Sequence, residues 1–169
     1  MNEVHERQKT SITTPSDTEI RIERIFDAPR QLVWDAYHDP EQLPEWLGPR
    51  ELTMTVDEFD LRPGGSYRFV HRSPDGNEFA FFGEIREVDE PNYVVRTFAW
   101  EGMPGKQSVE RADFEELEDG RTRVVILSRF DSKRDVITTR VRPSSSSSKS
   151  ARSTDCFPGI PSQANVRTT

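Results

Sequence analysis

The feature that most constrains this fold is a run of strand-like segments over residues 51–130, separated by short glycine-containing turns. Apolar and polar residues alternate within the segments, as at Leu52, Met54 and Val56, which is typical of half-buried strands. The turns include Pro-Gly-Gly and two Asp-Gly pairs, which suit tight hairpins. Because strands joined by tight turns pair antiparallel, the sequence predicts about six consecutive strands in one antiparallel sheet.

A strand and two short helices are predicted before this run. Residues 19–26 alternate between apolar and charged side chains, with Arg24 in the charged set, and predict a half-buried strand. Asp27 is expected to cap a helix over 29–38, because a proline follows in its first turn. An Asp-Pro pair at 39–40 predicts another helix of one or two turns. The fold class is therefore α+β.

The two ends of the chain lack any helix or strand period. Residues 1–18 carry few apolar side chains, and residues 141–169 are rich in serine. Such segments bury too little apolar area to offset the entropy lost on ordering, so we expect a disordered leader over 1–18 and a disordered tail over 141–169. The folded domain is expected over 19–140. A frameshift or alternative end near 136–142 is one hypothesis for the tail, and a genuine divergent tail is the other.

Charge and composition narrow the classes of partner. The net charge is −7, with +3 in the tail and −10 in the remainder, which argues against nucleic acid and anionic membranes as partners. The sequence has no apolar run of signal-peptide or membrane-span length, so a cytoplasmic protein is expected. The one cysteine, Cys156, excludes a disulfide framework within the chain.

Several segments together resemble a known family. "RIFDAPRQLVWDAYHDPEQLPEWLGP", "DLRPGGSYRF", "PDGNEF", "GEIREVDEPNYVVRTFAW" and "SRF" follow the order and spacing of the heat-shock-protein-90 ATPase activator homologue family, which is START-like. The resemblance covers about 20–135. It implies a helix-grip fold: a curved antiparallel sheet of about six or seven strands grips a C-terminal helix, with an apolar cavity between. No leucine or methionine follows Leu127, so that helix is expected to be short or absent.

Few residues indicate chemistry. The three histidines have no metal-ligand spacing and no nucleophile or phosphate-binding motif occurs, so neither a metal nor a cofactor is predicted. His71 is a candidate general base, although a histidine hydrogen-bonded on the sheet surface is the favoured interpretation. Glu84 and Arg86 are expected to face solvent, opposite the aromatic face of their strand, and a polar anchor inside the cavity is the alternative.

The aromatic residues suggest a binding cavity, with ordinary core filling as the alternative. The predicted cavity wall consists of Trp46, Tyr67, Phe69, His71, Phe79, Phe81, Phe98 and Trp100. The predicted function is non-catalytic binding of a small apolar or amphipathic ligand, in a cavity between the curved sheet and the C-terminal segment, by a monomer or homodimer. Two alternatives stay open: a regulator that binds a chaperone and activates its ATPase, and a small cyclase or hydratase that uses His71 or a pocket carboxylate as base.

Overall fold

The structure is a computed structural model that describes residues 10–133. In that range it contains two helices and eight strands. They are β1 (Ser11–Thr13), β2 (Glu19–Phe26), α1 (Arg30–His38), α2 (Leu43–Trp46), β3 (Thr53–Phe59), β4 (Ser66–Arg72), β5 (Glu78–Asp89), β6 (Tyr93–Trp100), β7 (Gln107–Glu116) and β8 (Thr122–Phe130).

All eight strands form one curved antiparallel sheet in the order β1-β2-β8-β7-β6-β5-β4-β3. The run from β3 to β8 is a meander of neighbouring hairpins, as the turn sequences predict, and β8 then pairs along the whole of β2. The predicted α+β class and helix-grip architecture are confirmed. The C-terminal helix that the family resemblance implies, and the predicted tail, lie outside the described residues.

The N-terminal part of the sheet differs from the expectation. Ser11–Thr13 form an edge strand whose Ile12 pairs with Ile22 of β2, so the sheet has eight strands rather than six or seven, and ordered structure begins before residue 19. The reason is that the backbone of β2 offers an unpaired edge, and three residues suffice to pair with it. Residues 1–9 of the predicted leader lie outside the described part of the chain.

Strand pairing divides the sheet into two faces. The inner face is the one on which α1 and α2 lie, and the outer face is the other. Residues paired directly across strands share a face, so the row Ile22, Ile126 and Ala112 identifies the inner face across β2, β8 and β7. Glu84 and Arg86 lie on the outer face of β5 and are exposed, as predicted.

Aromatic packing fixes the helices on the inner face. The Trp34 ring of α1 is 1% exposed and contacts Phe114 of β7 with ring centroids 5.1 Å apart. Tyr37 packs edge-on against Phe26 of β2 at 6.0 Å. The expected capping by Asp27 is wrong: Pro29 is the N-cap residue and no side chain caps α1. Since α1 has no capping hydrogen bond from a side chain, its apolar contacts with the sheet account for its position.

The curvature of the sheet has a local cause in β5. Its pairing with β6 shifts register between Ile85 and Glu87, and such bulges bend a strand. Gly83 precedes this point, and a Cβ there would lie 2.0 Å from the Thr97 carbonyl oxygen. The missing side chain also leaves room for the Tyr67 ring, whose hydroxyl donates to that oxygen at 2.6 Å. This close contact between Tyr67 and the backbone of Thr97 holds β4, β5 and β6 together where the sheet curves toward the inner face.

Candidate functional site

A groove lies on the inner face beside the helices, over β2, β8, β7 and the end of β6. Its cavity volume is about 100 Å³. Most of its lining is apolar: Ile20, Ile22, Phe98, Ala99, Trp100, Met103, Ile126 and Phe130. The polar members are Lys106, Gln107, Ser108, Glu110 and Ser128. An apolar concavity with a few placed polar groups is the usual form of a small-molecule site.

A buried ion pair forms part of the groove floor. Glu110 accepts a hydrogen bond from Ser128 at 3.1 Å and pairs with Arg96 at 3.2 Å. The guanidinium of Arg96 also lies 5.2 Å from the centre of the Tyr67 ring. Burial disfavours the charged form of Arg96, but Tyr67 and Glu110 outweigh it and the pKa of Arg96 lies above its ordinary value. The polar groups of the groove floor are therefore largely paired with one another.

The eight residues predicted for the cavity wall occupy different parts of the fold. Phe98 and Trp100 line the groove, and Phe98 stacks on Phe81 at 5.5 Å. Tyr67 and Phe69 are buried on β4, in the core beyond the groove. Phe79, Phe81 and His71 share that end of the inner face. Trp46 lies between the helices, where its indole Nε1 donates to the Ala36 carbonyl oxygen at 2.9 Å.

His71 is a buried side chain rather than one hydrogen-bonded on the sheet surface. It is 2% exposed, and its Nδ1 has no hydrogen-bond partner in the part of the chain that the structure describes. Burial lowers its pKa below the ordinary histidine value. Gly48, with φ +103°, lies directly against the ring: a Cβ there would be 2.4 Å from His71 Cε1. The imidazole is held by packing against Gly48 and Phe81.

Arg24 lies on the inner face, although the alternation of residues 19–26 groups it with the charged side chains that face outward. Its pairing with Val124 of β8 places it between Ile22, which lines the groove, and Phe26 beside α1. Its Nε is buried and has no hydrogen-bond partner among residues 10–133. Burial lowers the pKa of the guanidinium. Strict period-two reading of Ile20, Ile22, Arg24 and Phe26 is the signal that identifies it.

Residues 10–133 contain neither a membrane-crossing helix nor a cluster of metal-ligating side chains. Neither helix in that range is long and apolar enough to cross a bilayer. No group of three or more histidine, cysteine, aspartate or glutamate side chains in the same range is placed to hold a metal ion.

A curved antiparallel sheet with two short helices on its inner face defines the helix-grip class of α+β proteins. Residues 27–142 match the family described as "Activator of Hsp90 ATPase homolog 1-like protein". The chain belongs to that family, which confirms the resemblance seen in the sequence. No curated protein matches the sequence.

Solved structures of bacterial proteins share the fold. A crystal structure of a Rhodobacter sphaeroides protein is 22% identical with TM-score 0.74, covering 79% of this chain and 86% of that one. A Mycobacterium smegmatis protein is 29% identical with TM-score 0.67, covering 77% and 86%. A solution structure from Arthrobacter aurescens is 24% identical with TM-score 0.70, covering 76% and 78%.

Proposed function

We propose that this protein binds a small apolar or amphipathic molecule in the groove, without catalysing a reaction. The observation that carries the proposal is the groove itself, a concavity of about 100 Å³ lined mainly by apolar side chains. In a close-packed interior, side chains normally fill such volume. Residues 10–133 leave this volume unfilled, and a binding function accounts for that.

The volume limits the size of the ligand. A water needs roughly 10–15 Å³ of such space, so a groove of about 100 Å³ holds on the order of ten small atoms. At about 0.5 kcal/mol for each non-hydrogen atom, a ligand of that size gains roughly 5 kcal/mol, which corresponds to a Kd of about 0.2 mM. 1-Octanol, with a polar end and an apolar chain, is a suitable probe.

The experiment is a thermal shift with 1-octanol at about ten times that Kd. Binding to the native state alone stabilises by about 1.4 kcal/mol at this ratio, which raises the Tm of a domain of this size by roughly 5 °C. Ile126→Phe fills the groove, whereas Leu127→Phe adds the same ring on the outer face of the same strand. We expect the shift to vanish in I126F and persist in L127F.

Two controls make that comparison decisive. Circular dichroism establishes that both variants are folded, and Ile22→Phe, which fills the groove from β2, replaces I126F if the latter unfolds. No shift in the wild-type protein, or an equal shift in I126F and L127F, would rule out the groove as the binding site.

The family match favours a second candidate, regulation of a chaperone ATPase by direct contact. The name of the matched family, "Activator of Hsp90 ATPase homolog 1-like protein", supports this candidate, and the match covers residues 27–142. Steady-state ATP hydrolysis by the chaperone, measured with and without this protein, tests it. A saturable rise in rate supports this candidate, and an unchanged rate together with no co-sedimentation excludes it.

A further inference from the structure

We infer that Arg24 and Tyr37 form an anion subsite at the α1 end of the groove, so that the ligand is an amphipathic monocarboxylate of about ten non-hydrogen atoms. The inference rests on the proposed function and adds the chemical class of the ligand. It is carried by two polar groups on the inner face that have no partner in the described part of the chain.

The first of these groups is the guanidinium of Arg24. Its Cζ lies 5.0 Å from the centre of the Phe26 ring, and its buried Nε has no hydrogen-bond partner within residues 10–133. The same range provides no ion pair for it. A cation that is removed from water normally has a carboxylate or several acceptors around it. Arg24 is half-buried and packs on a ring face instead, which leaves its Nε–H available to a ligand.

The second group is the hydroxyl of Tyr37. The ring packs against Phe26, Trp46 and Phe114, with centroids 6.0, 4.9 and 5.3 Å away. These contacts hold the ring, and none of them uses the hydroxyl, which makes no hydrogen bond to residues 10–133. Phe26 contacts both Arg24 and Tyr37, so the two groups lie beside the same ring. Burial raises the pKa of Tyr37, so its hydroxyl stays protonated and able to donate.

The subsite adjoins the groove. Ile22 and Ile126 pair across β2 and β8 and line the groove, and Arg24 is the next inner-face residue of β2, about 7 Å further along. An alkyl chain in the groove therefore ends beside Arg24. The net charge of −7 belongs to the whole chain and does not determine the charge next to Arg24.

Charge balance selects a monoanion. Of the other charged groups on the inner face, Arg96 pairs with Glu110 at 3.2 Å, and Glu116 lies 3.8 Å from Arg30. Lys106 lines the groove at the end of the sheet away from Arg24. One uncompensated guanidinium is neutralised by one carboxylate, whereas a phosphate dianion would bring a second charge with no partner there.

The test compares octanoate with 1-octanol, which have the same chain but differ in charge at neutral pH. Isothermal titration is carried out on the wild-type chain, on Arg24→Gln and on Tyr37→Phe. Arg21→Gln is the matched control: it removes the same charge from the same strand, but on the outer face, where Arg21 pairs with Glu23 at 2.6 Å. We expect octanoate to bind at least about tenfold more tightly than octanol in the wild-type and R21Q proteins.

In R24Q we expect that preference to fall to within about twofold, with octanol binding unchanged, and in Y37F we expect it to fall part of the way. Equal binding of octanoate and octanol to the wild-type protein, or an R24Q variant that keeps the preference, would overturn the subsite and leave the groove proposal intact. Binding of neither ligand would overturn both. If R24Q is unfolded by circular dichroism, Arg24→Met is used, since it keeps the length and packing of the side chain.

Discussion

The ion pair between Arg96 and Glu110 offers the sharpest test of how the groove floor is built. The perturbation is a double-mutant cycle with Arg96→Met, Glu110→Gln and the two changes together. Glutamine keeps the size of glutamate and an oxygen for the Ser128 hydroxyl, so E110Q removes mainly the charge. R96M keeps most of the apolar stem of arginine beside Tyr67 and removes the cation.

The structure sets the size of the effect. The two charged groups lie 3.2 Å apart, and the side chains of Arg96 and Glu110 are 19% and 11% exposed. At an effective dielectric constant of about 20, their attraction is about 5 kcal/mol before desolvation is subtracted. Truncating one member of a buried pair leaves the other uncompensated, which costs about 3–5 kcal/mol. Because both groups retain some solvent contact, we expect about 3 kcal/mol for each single variant.

The double variant separates this pair from ordinary packing. With both charges gone, no group is left uncompensated, so the double variant should lose only about 2–3 kcal/mol. The coupling energy is therefore about 3–4 kcal/mol. For a domain of this size, each single variant should lower the Tm by roughly 10 °C. Urea unfolding followed by circular dichroism measures all four proteins. Additive losses in the double variant, or single losses below about 1 kcal/mol, would show that the pair does not form.

Three further predictions follow from buried groups elsewhere in the fold. Burial lowers the pKa of His38 to about 3, below its unfolded value of about 6.5, so the unfolded chain binds one more proton than the folded chain between these two values. The free energy of unfolding should therefore fall by up to about 3 kcal/mol between pH 7 and about pH 4.5. In His38→Gln, the midpoint of urea unfolding should depend less on pH. Gly48→Ala should lower the free energy of unfolding by more than about 2 kcal/mol, because Gly48 has a φ of +103° and contacts His71. Adding His71→Ala should recover only the part that is due to the steric clash. A thermal melt that is unchanged by G48A would contradict that contact. Tyr67→Phe should cost about 1–3 kcal/mol through the lost hydrogen bond to the Thr97 carbonyl oxygen, and a loss below about 0.5 kcal/mol in chemical denaturation would count against it.

The strands were predictable because each carries its own local signal. Period-two alternation and Asp-Gly turns at the hairpins depend only on neighbouring residues, and the structure pairs the segments as those signals indicate. The edge strand Ser11–Thr13 was not predictable in this way. Three residues carry too little pattern, and their position depends on pairing with β2, which is a tertiary effect.

The site was harder to predict than the sheet. Strand pairing places aromatic residues of β4, β5 and β6 on one face, as predicted, but only the three-dimensional structure shows that the groove extends from the end of β6 over β7, β8 and β2. The inward positions of Arg24 and Glu110 were missed because both residues interrupt apolar patterns, and a charged residue in a strand is ordinarily placed on the solvent face. Their strand positions, two residues from Ile22 and Ser108, place them inward.

A methyl NMR titration of the full chain with 1-octanol tests most directly whether a ligand binds on the inner face. Resonances of Ile20, Ile22 and Ile126, which line the groove, should shift saturably with a shared Kd near the expected 0.2 mM. Those of Val109 and Leu127, on the outer face, should not move. Equal shifts on both faces, or none up to the solubility limit of the alcohol, would contradict a binding groove on the inner face.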